Sequence, residues 1–177
     1  MSRDAASAVE AANTSLYTAV ESADLDLMGA LWLDGPEAES VVCVHPGWPP
    51  LHGRSEVLRS WAAIMAGTPY VQFFLTDVEV SVQGDAAVVT CTENVLTGGD
   101  GGASFGFPGG RVAATNVFRR SDGGWRLWVH HASPVLSVLD DDNDDEDTSD
   151  ADRDRGRGPD DDPGGTPGGS SGEGGAS

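Results

Sequence analysis

Glu93 is the residue in this chain best suited to acid–base chemistry. It lies in the run Val89-Thr90-Cys91-Thr92-Glu93-Asn94-Val95, which alternates as a strand does and sets Glu93 on the same face as Ala87, Val89 and Cys91. A carboxylate among apolar neighbours loses hydration, so its pKa rises and it suits a general base or acid. The other reading is a surface acid, reached if the strand parity slips. His130 and His131 are adjacent on a strand-like run, so they point to opposite faces and only one can share a site with Glu93. On the face of Trp125, Leu127 and Val129 that residue is His131; a bulge would make it His130, together with Trp128. A neutral imidazole beside a carboxylate can pass a proton at neutral pH. A core histidine held by a backbone carbonyl, or one at a dimer interface, is the competing reading.

Further candidates sit around a small-molecule pocket. His45 ends an apolar run beside Pro46-Gly47-Trp48-Pro49-Pro50, and Trp48 and Trp61 would wall a cavity with few polar groups. Plain core packing is the alternative for both tryptophans. Asn116, polar within Ala114-Thr115-Asn116-Val117-Phe118, would orient a ligand carbonyl or make a cross-strand hydrogen bond. The four histidines and Glu93 have no H-x-x-x-H or His/carboxylate spacing, so no metal is expected; a metal site would need a convergence that only the fold could supply. Cys43 and Cys91 lie in apolar runs as buried free thiols, with no redox or metal role assigned. No cofactor is expected either. The glycine-rich stretches Gly98-Gly99-Asp100-Gly101-Gly102 and Pro108-Gly109-Gly110 lack a GK[ST] sequence and a following helix, so they read as a flexible loop able to act as a lid, and not as a phosphate cradle. No Gly-x-Ser-x-Gly is present.

The elements that must position these residues follow from periodicity. Val9, Ala12, Leu16, Ala19, Val20 and Ala23 recur at three- and four-residue spacing, predicting a helix over 8–23. Asp24 caps a second short helix that ends at Gly35-Pro36. Val41 to His45 is a short strand, and Gly53 opens a third helix over 55–66, with Val57, Trp61, Ile64 and Met65 on one face. Strands follow over 71–82, 86–96, 112–120 and 125–132, the last pair joined by the tight turn at Asp122-Gly123-Gly124.

This order, helices first, one early strand, a third helix and then an antiparallel meander, resembles the cone-shaped α+β fold shared by nuclear transport factor 2, ketosteroid isomerase and the SnoaL-type polyketide cyclases. The resemblance covers nearly all of 8–137. It rests on His45-Pro46-Gly47-Trp48 with Leu51-His52-Gly53-Arg54 running into a helix that bears Ser60-Trp61, on Gly84-Asp85-Ala86-Ala87-Val88-Val89, and on the final Gly-Gly-Trp to His-His-Ala-Ser-Pro strand. These are similar to the SnoaL-like group, which also resembles the association domain of calcium/calmodulin-dependent protein kinase II. The resemblance implies helices packed on a curved, mostly antiparallel sheet around an open-ended cavity, with a histidine, His131, just before Ala-Ser-Pro. Steroid isomerisation is a poorer match. An enolate needs a Tyr or a protonated Asp in the cavity, and neither Tyr17 nor Tyr70 matches that arrangement.

Composition divides the 177 residues near Leu139. Residues 1–7 read as a disordered N-terminus, 8–139 as the SnoaL-like domain, and 140–177 as a disordered acidic Gly/Pro-rich tail holding twelve Asp, two Glu and three Arg. The tail contributes −11 of the formal net charge of −19, and every cation is arginine. Such a balance reads as a halophilic, salt-screened cytoplasm, or else as a GC-rich genome with an added acidic tail. It argues against nucleic acid and against an anionic membrane surface as partners. With neither a signal-peptide core nor a long apolar run, a cytoplasmic location is expected.

Three functions stay open: a small-molecule-binding SnoaL-like domain, a proton-transfer enzyme of cyclase, dehydratase or isomerase type using Glu93 and His131, and a homo-oligomeric assembly module. A homodimer is expected under all three, from an apolar outer sheet face carrying Trp128 with Val112 or Val117. Because the tail contains nothing able to build a core, removing residues 140–177 should leave the thermal unfolding midpoint of the remainder nearly unchanged. A calorimetric scan of the truncated chain checks this, and a large fall in the midpoint would refute it.

Overall fold

The computed structural model of the chain describes residues 3–98 and 110–136. The glycine-rich stretch around 99–109 and the acidic tail lie outside the described residues. Helix α1 (Arg3–Glu21) starts five residues earlier than periodicity placed it, so residues 3–7 are helical and not a disordered lead-in. Asp4 in the first turn favours the positive helix end. The buried face of α1 comprises Val9, Asn13, Leu16, Tyr17, Ala19 and Val20, so two polar residues stand in the apolar stripe. Asp24 caps α2 (Leu25–Leu31), its side chain accepting from the Leu27 amide at 2.8 Å. Gly35-Pro36 opens a short 3-10 turn (Gly35–Ser40).

The strands are β1 (Val42–Val44), β2 (Leu51–His52), β3 (Val71–Gln83), β4 (Ala86–Thr97), β5 (Gly110–Ser121) and β6 (Gly124–Pro134), with α3 (Arg54–Gly67) between β2 and β3. They form one sheet in the order β2-β1-β6-β5-β4-β3. All neighbours are antiparallel except β1 and β6. The short β2 was not apparent in the proline-rich sequence around it. Gly53, at φ 82°, makes the left-handed turn into α3, a conformation that strains any residue with a Cβ.

Two bulges shape the sheet. In β3, Thr76 pairs with Thr92 and Glu79 with Thr90, so one extra residue is accommodated around Asp77, whose φ is 54°. In β6, Val129 pairs with Val117 and Leu127 with Phe118, which leaves Trp128 as the extra residue. The second bulge inverts the side-chain parity of everything after it. Trp125 and Leu127 are buried, and then His130 and Ala132, while His131 is exposed. This corrects the assignment of His131 to the interior: simple alternation counts Trp128 as an ordinary strand residue, and the bulge does not. The indole of Trp128 is folded under the 3-10 turn, donating to the Ser40 carbonyl at 3.0 Å, and Val112 faces the core. Neither contributes the outward apolar surface expected of it. No helix among the described residues is long and apolar enough to cross a membrane.

Candidate functional site

The inward faces of β4, β5 and β6 meet the buried face of α1, and the polar residues on those faces converge. Tyr17 donates its hydroxyl proton to Glu93 Oε1 at 2.9 Å. Asn116 Nδ2 donates to Asn13 Oδ1 at 2.8 Å and to the Tyr17 hydroxyl at 3.2 Å, which turns its Oδ1 toward His130 Nδ1, 2.6 Å away. Because Asn116 Oδ1 can only accept, Nδ1 of His130 carries the proton and Nε2 presents a lone pair. Three atoms of the network are buried with no hydrogen-bond partner, Asn13 Nδ2, Glu93 Oε2 and His130 Nε2. Unsatisfied buried polar atoms are costly, and in a native fold each calls for an explanation such as a bound molecule or water.

Electrostatics follow from burial. Glu93 is 1% exposed, and loss of hydration pushes its carboxyl up to about 7, with the Tyr17 hydrogen bond pulling the other way. The Tyr17 phenol is raised as well, first by burial and then by the Glu93 charge. Burial lowers His45 to about 4, and lowers His130 to about 3 with His45 adding repulsion. Both buried imidazoles are therefore neutral near pH 7.

A second group adjoins the first. His45 Nε2 lies 2.8 Å from Ser60 Oγ, and Ser60 donates to the Val57 carbonyl at 2.7 Å. Trp61 meets the His45 ring edge-on at 4.7 Å between centroids and lies 5.6 Å from that of His130; half-buried Trp48 is edge-on to His45 at 5.2 Å. One donor atom each from Cys43, His45 and His130 falls within 4.8 Å of the others. A groove of about 330 Å³ between α1 and β3, lined by Asn13, Thr14, Tyr17, Phe73 and Leu75 among others, opens onto the Tyr17 end of the network.

Of the residues singled out by sequence, Glu93, Asn116, His130, His45, Trp48 and Trp61 thus fall into two adjoining groups, and His131 lies outside. Sequence reasoning missed Asn13, Ser60 and Cys43, and set Tyr17 aside. The available signal was Asn13 and Tyr17 themselves, polar residues at i and i+4 on the apolar stripe of an amphipathic helix.

Helices laid on a curved, mostly antiparallel sheet over buried polar side chains define the nuclear transport factor 2-like class of domain. The chain belongs to the SnoaL-like domain family, whose model matches residues 9–137. Among solved structures, a candidate dehydratase of the nuclear transport factor 2-like family from Streptomyces avermitilis is 55% identical, with a TM-score of 0.66 over 75% of this chain and 96% of that one. A candidate calcium/calmodulin-dependent protein kinase type II association domain from Thiobacillus denitrificans is 35% identical, with a TM-score of 0.61 over 72% of this chain and 94% of that one. The F-box protein SKIP8 of Arabidopsis thaliana is 29% identical over 133 residues, 75% of this chain; the chain spans about half the length of that relative, 52%.

The raised Glu93 pKa has a consequence for stability. The folded state holds the proton up to about pH 7, whereas the unfolded carboxyl releases it near its ordinary value of 4.5. The stabilisation is complete below pH 4.5 and is lost as pH rises through 7. Glu93→Gln keeps the acceptor for Tyr17 without a charge. Relative to the wild type it should gain stability progressively between pH 4.5 and 7, reaching roughly 3 kcal/mol above that range. Urea midpoints of the two proteins across this pH range provide the measurement, and a pH-independent difference would contradict the assignment.

Proposed function

We propose that this domain binds a small, uncharged organic molecule and transfers a proton on it, as in a dehydration or isomerisation, with Glu93 as the acid–base group. The observation that carries this reading is the state of Glu93: a buried carboxyl whose pKa is near neutrality, one oxygen held by Tyr17 and the other without a partner. A base of that pKa takes a proton from carbon and returns it at pH 7. Tyr17 positions the carboxyl, and His130 Nε2 offers a second acceptor for a substrate hydroxyl. With both imidazoles neutral, no cation stands in the network around Glu93 among the described residues, so the reading favours an uncharged ligand over a carboxylate. The 55% identical structure named as a candidate dehydratase points to the same chemistry.

Hydrogen–deuterium exchange next to a carbonyl reads this proton transfer directly. Cyclic ketones, enones and hydroxy ketones incubated in D2O with the wild type should gain deuterium at that carbon, followed by NMR, at a rate that rises with pH through about 7. Glu93→Gln should lower that rate by roughly 10²–10⁴-fold. Exchange equal in both proteins would remove Glu93 from the chemistry.

A homodimer as the setting for this site has its own support. Phe74 and Leu96 are 53% and 52% exposed, and the β3–β4 register places both on the outer face of the sheet. Phe74→Glu, changing only an exposed side chain, should convert a dimer to a monomer in light scattering; a wild type that is monomeric would exclude the assembly.

A further inference from the structure

We propose that Cys43, His45 and His130 form a binding site for a zinc-class divalent transition-metal ion. Cys43 and His45 stand two apart at β1 and its end, so both side chains leave the same face of the strand. The parallel pairing of β1 with β6 sets His130 directly opposite Cys43. All three residues are buried, and their donor atoms lie within 4.8 Å of one another.

Hydrogen bonding determines which lone pairs are available. Ser60 uses its only proton on the Val57 carbonyl, so its Oγ accepts from Nε2 of His45 and the lone pair of that ring is on Nδ1; Cys43 Sγ lies 3.9 Å from Nδ1 and 3.7 Å from Nε2, so the ring must turn for Nδ1 to share a metal with the sulfur. Asn116 directs its two amide protons to Asn13 and Tyr17, so its Oδ1 accepts from Nδ1 of His130, and the lone pair there is on Nε2, which is buried without a partner. Each imidazole is thus held at one nitrogen by an oxygen, which leaves the lone pair of the other available; outer-shell contacts of this kind orient metal-binding histidines. A thiol and two imidazoles suit zinc, cobalt or copper, not magnesium or calcium. Around a zinc-sized ion, with bonds of roughly 2.0–2.3 Å, tetrahedral donors sit about 3.4–3.6 Å apart, so closure asks for side-chain movements of about an ångström. As the sulfur–metal bond forms, the thiol proton passes to solvent. Three protein ligands leave one tetrahedral position for water or a ligand. Glu93 is not a ligand of this site, but a metal on His130 Nε2 takes the atom that the proton-transfer reading offers to a substrate hydroxyl; metal binding is therefore read by absorption alone, and its failure leaves the Glu93 exchange experiment unaffected.

The experiment is a Co2+ titration of the full chain after chelator treatment, followed by displacement with Zn2+. The expected result is a saturable near-ultraviolet thiolate-to-cobalt absorption with one metal per chain, bleached by Zn2+. Cys43→Ser should abolish the band, Cys91→Ser should retain it, and His130→Gln should weaken binding by at least about 100-fold. If Cys43→Ser does not fold, His130→Gln decides the matter. A wild type without the thiolate band, a band that persists in Cys43→Ser, or an affinity unchanged in His130→Gln would each overturn the proposal.

Discussion

The interior of this domain depends on the side-chain amide of Asn116. From the middle of β5 it reaches α1 through Asn13 and Tyr17 and β6 through His130, so one residue joins the helix and two strands across the core. An amide has distinct donor and acceptor ends. Once its nitrogen is committed to α1, its oxygen must accept from His130, and the tautomer of that imidazole follows. The Tyr17 hydroxyl, receiving from Asn116, has its own proton directed to Glu93. The state of the carboxyl and the state of the histidine are therefore linked through neutral groups with no ion pair between them.

That arrangement has an energetic cost. A carboxyl, a phenol, a thiol and two imidazoles are withdrawn from water, and no opposite charge beside them compensates for the lost hydration. The groups respond by moving their pKa values toward the neutral form, upward for Glu93, Tyr17 and Cys43 and downward for the histidines. An apolar core of similar shape would fold with less penalty. Retention of so many ionisable groups in one place is what distinguishes a site from a core, and the raised carboxyl is the feature most directly suited to chemistry near neutral pH.

Much of the architecture was legible in the chain. The three helices and four long strands follow from periodic spacing, the Asp24 cap and the glycine turns, all of which depend on neighbours within a few residues. The placement of Glu93 on the buried face of β4 also follows from alternation, because β4 runs regularly through that position. His131 did not follow. The bulge at Trp128 arises from how β6 pairs with β5, and the tuck of that indole under the Ser40 carbonyl belongs to a segment distant in sequence. A single inserted residue exchanges the faces of His130 and His131.

What the sequence by itself determined is the family-level fold and the kinds of group available: a carboxylate in an apolar strand, paired histidines, tryptophans beside them, and an acidic, lysine-free composition. Only the tertiary structure decided which of these meet. Tyr17 and Glu93 are 76 residues apart, and Asn13 and Asn116 are 103 apart, so no local pattern can encode their contact. Cys43 and His130 come together through the parallel pairing of the first and last strands. Local chemistry sets the period of an element, whereas the direction in which each side chain points inside the domain is set by pairing register and bulges, which are properties of strands already assembled.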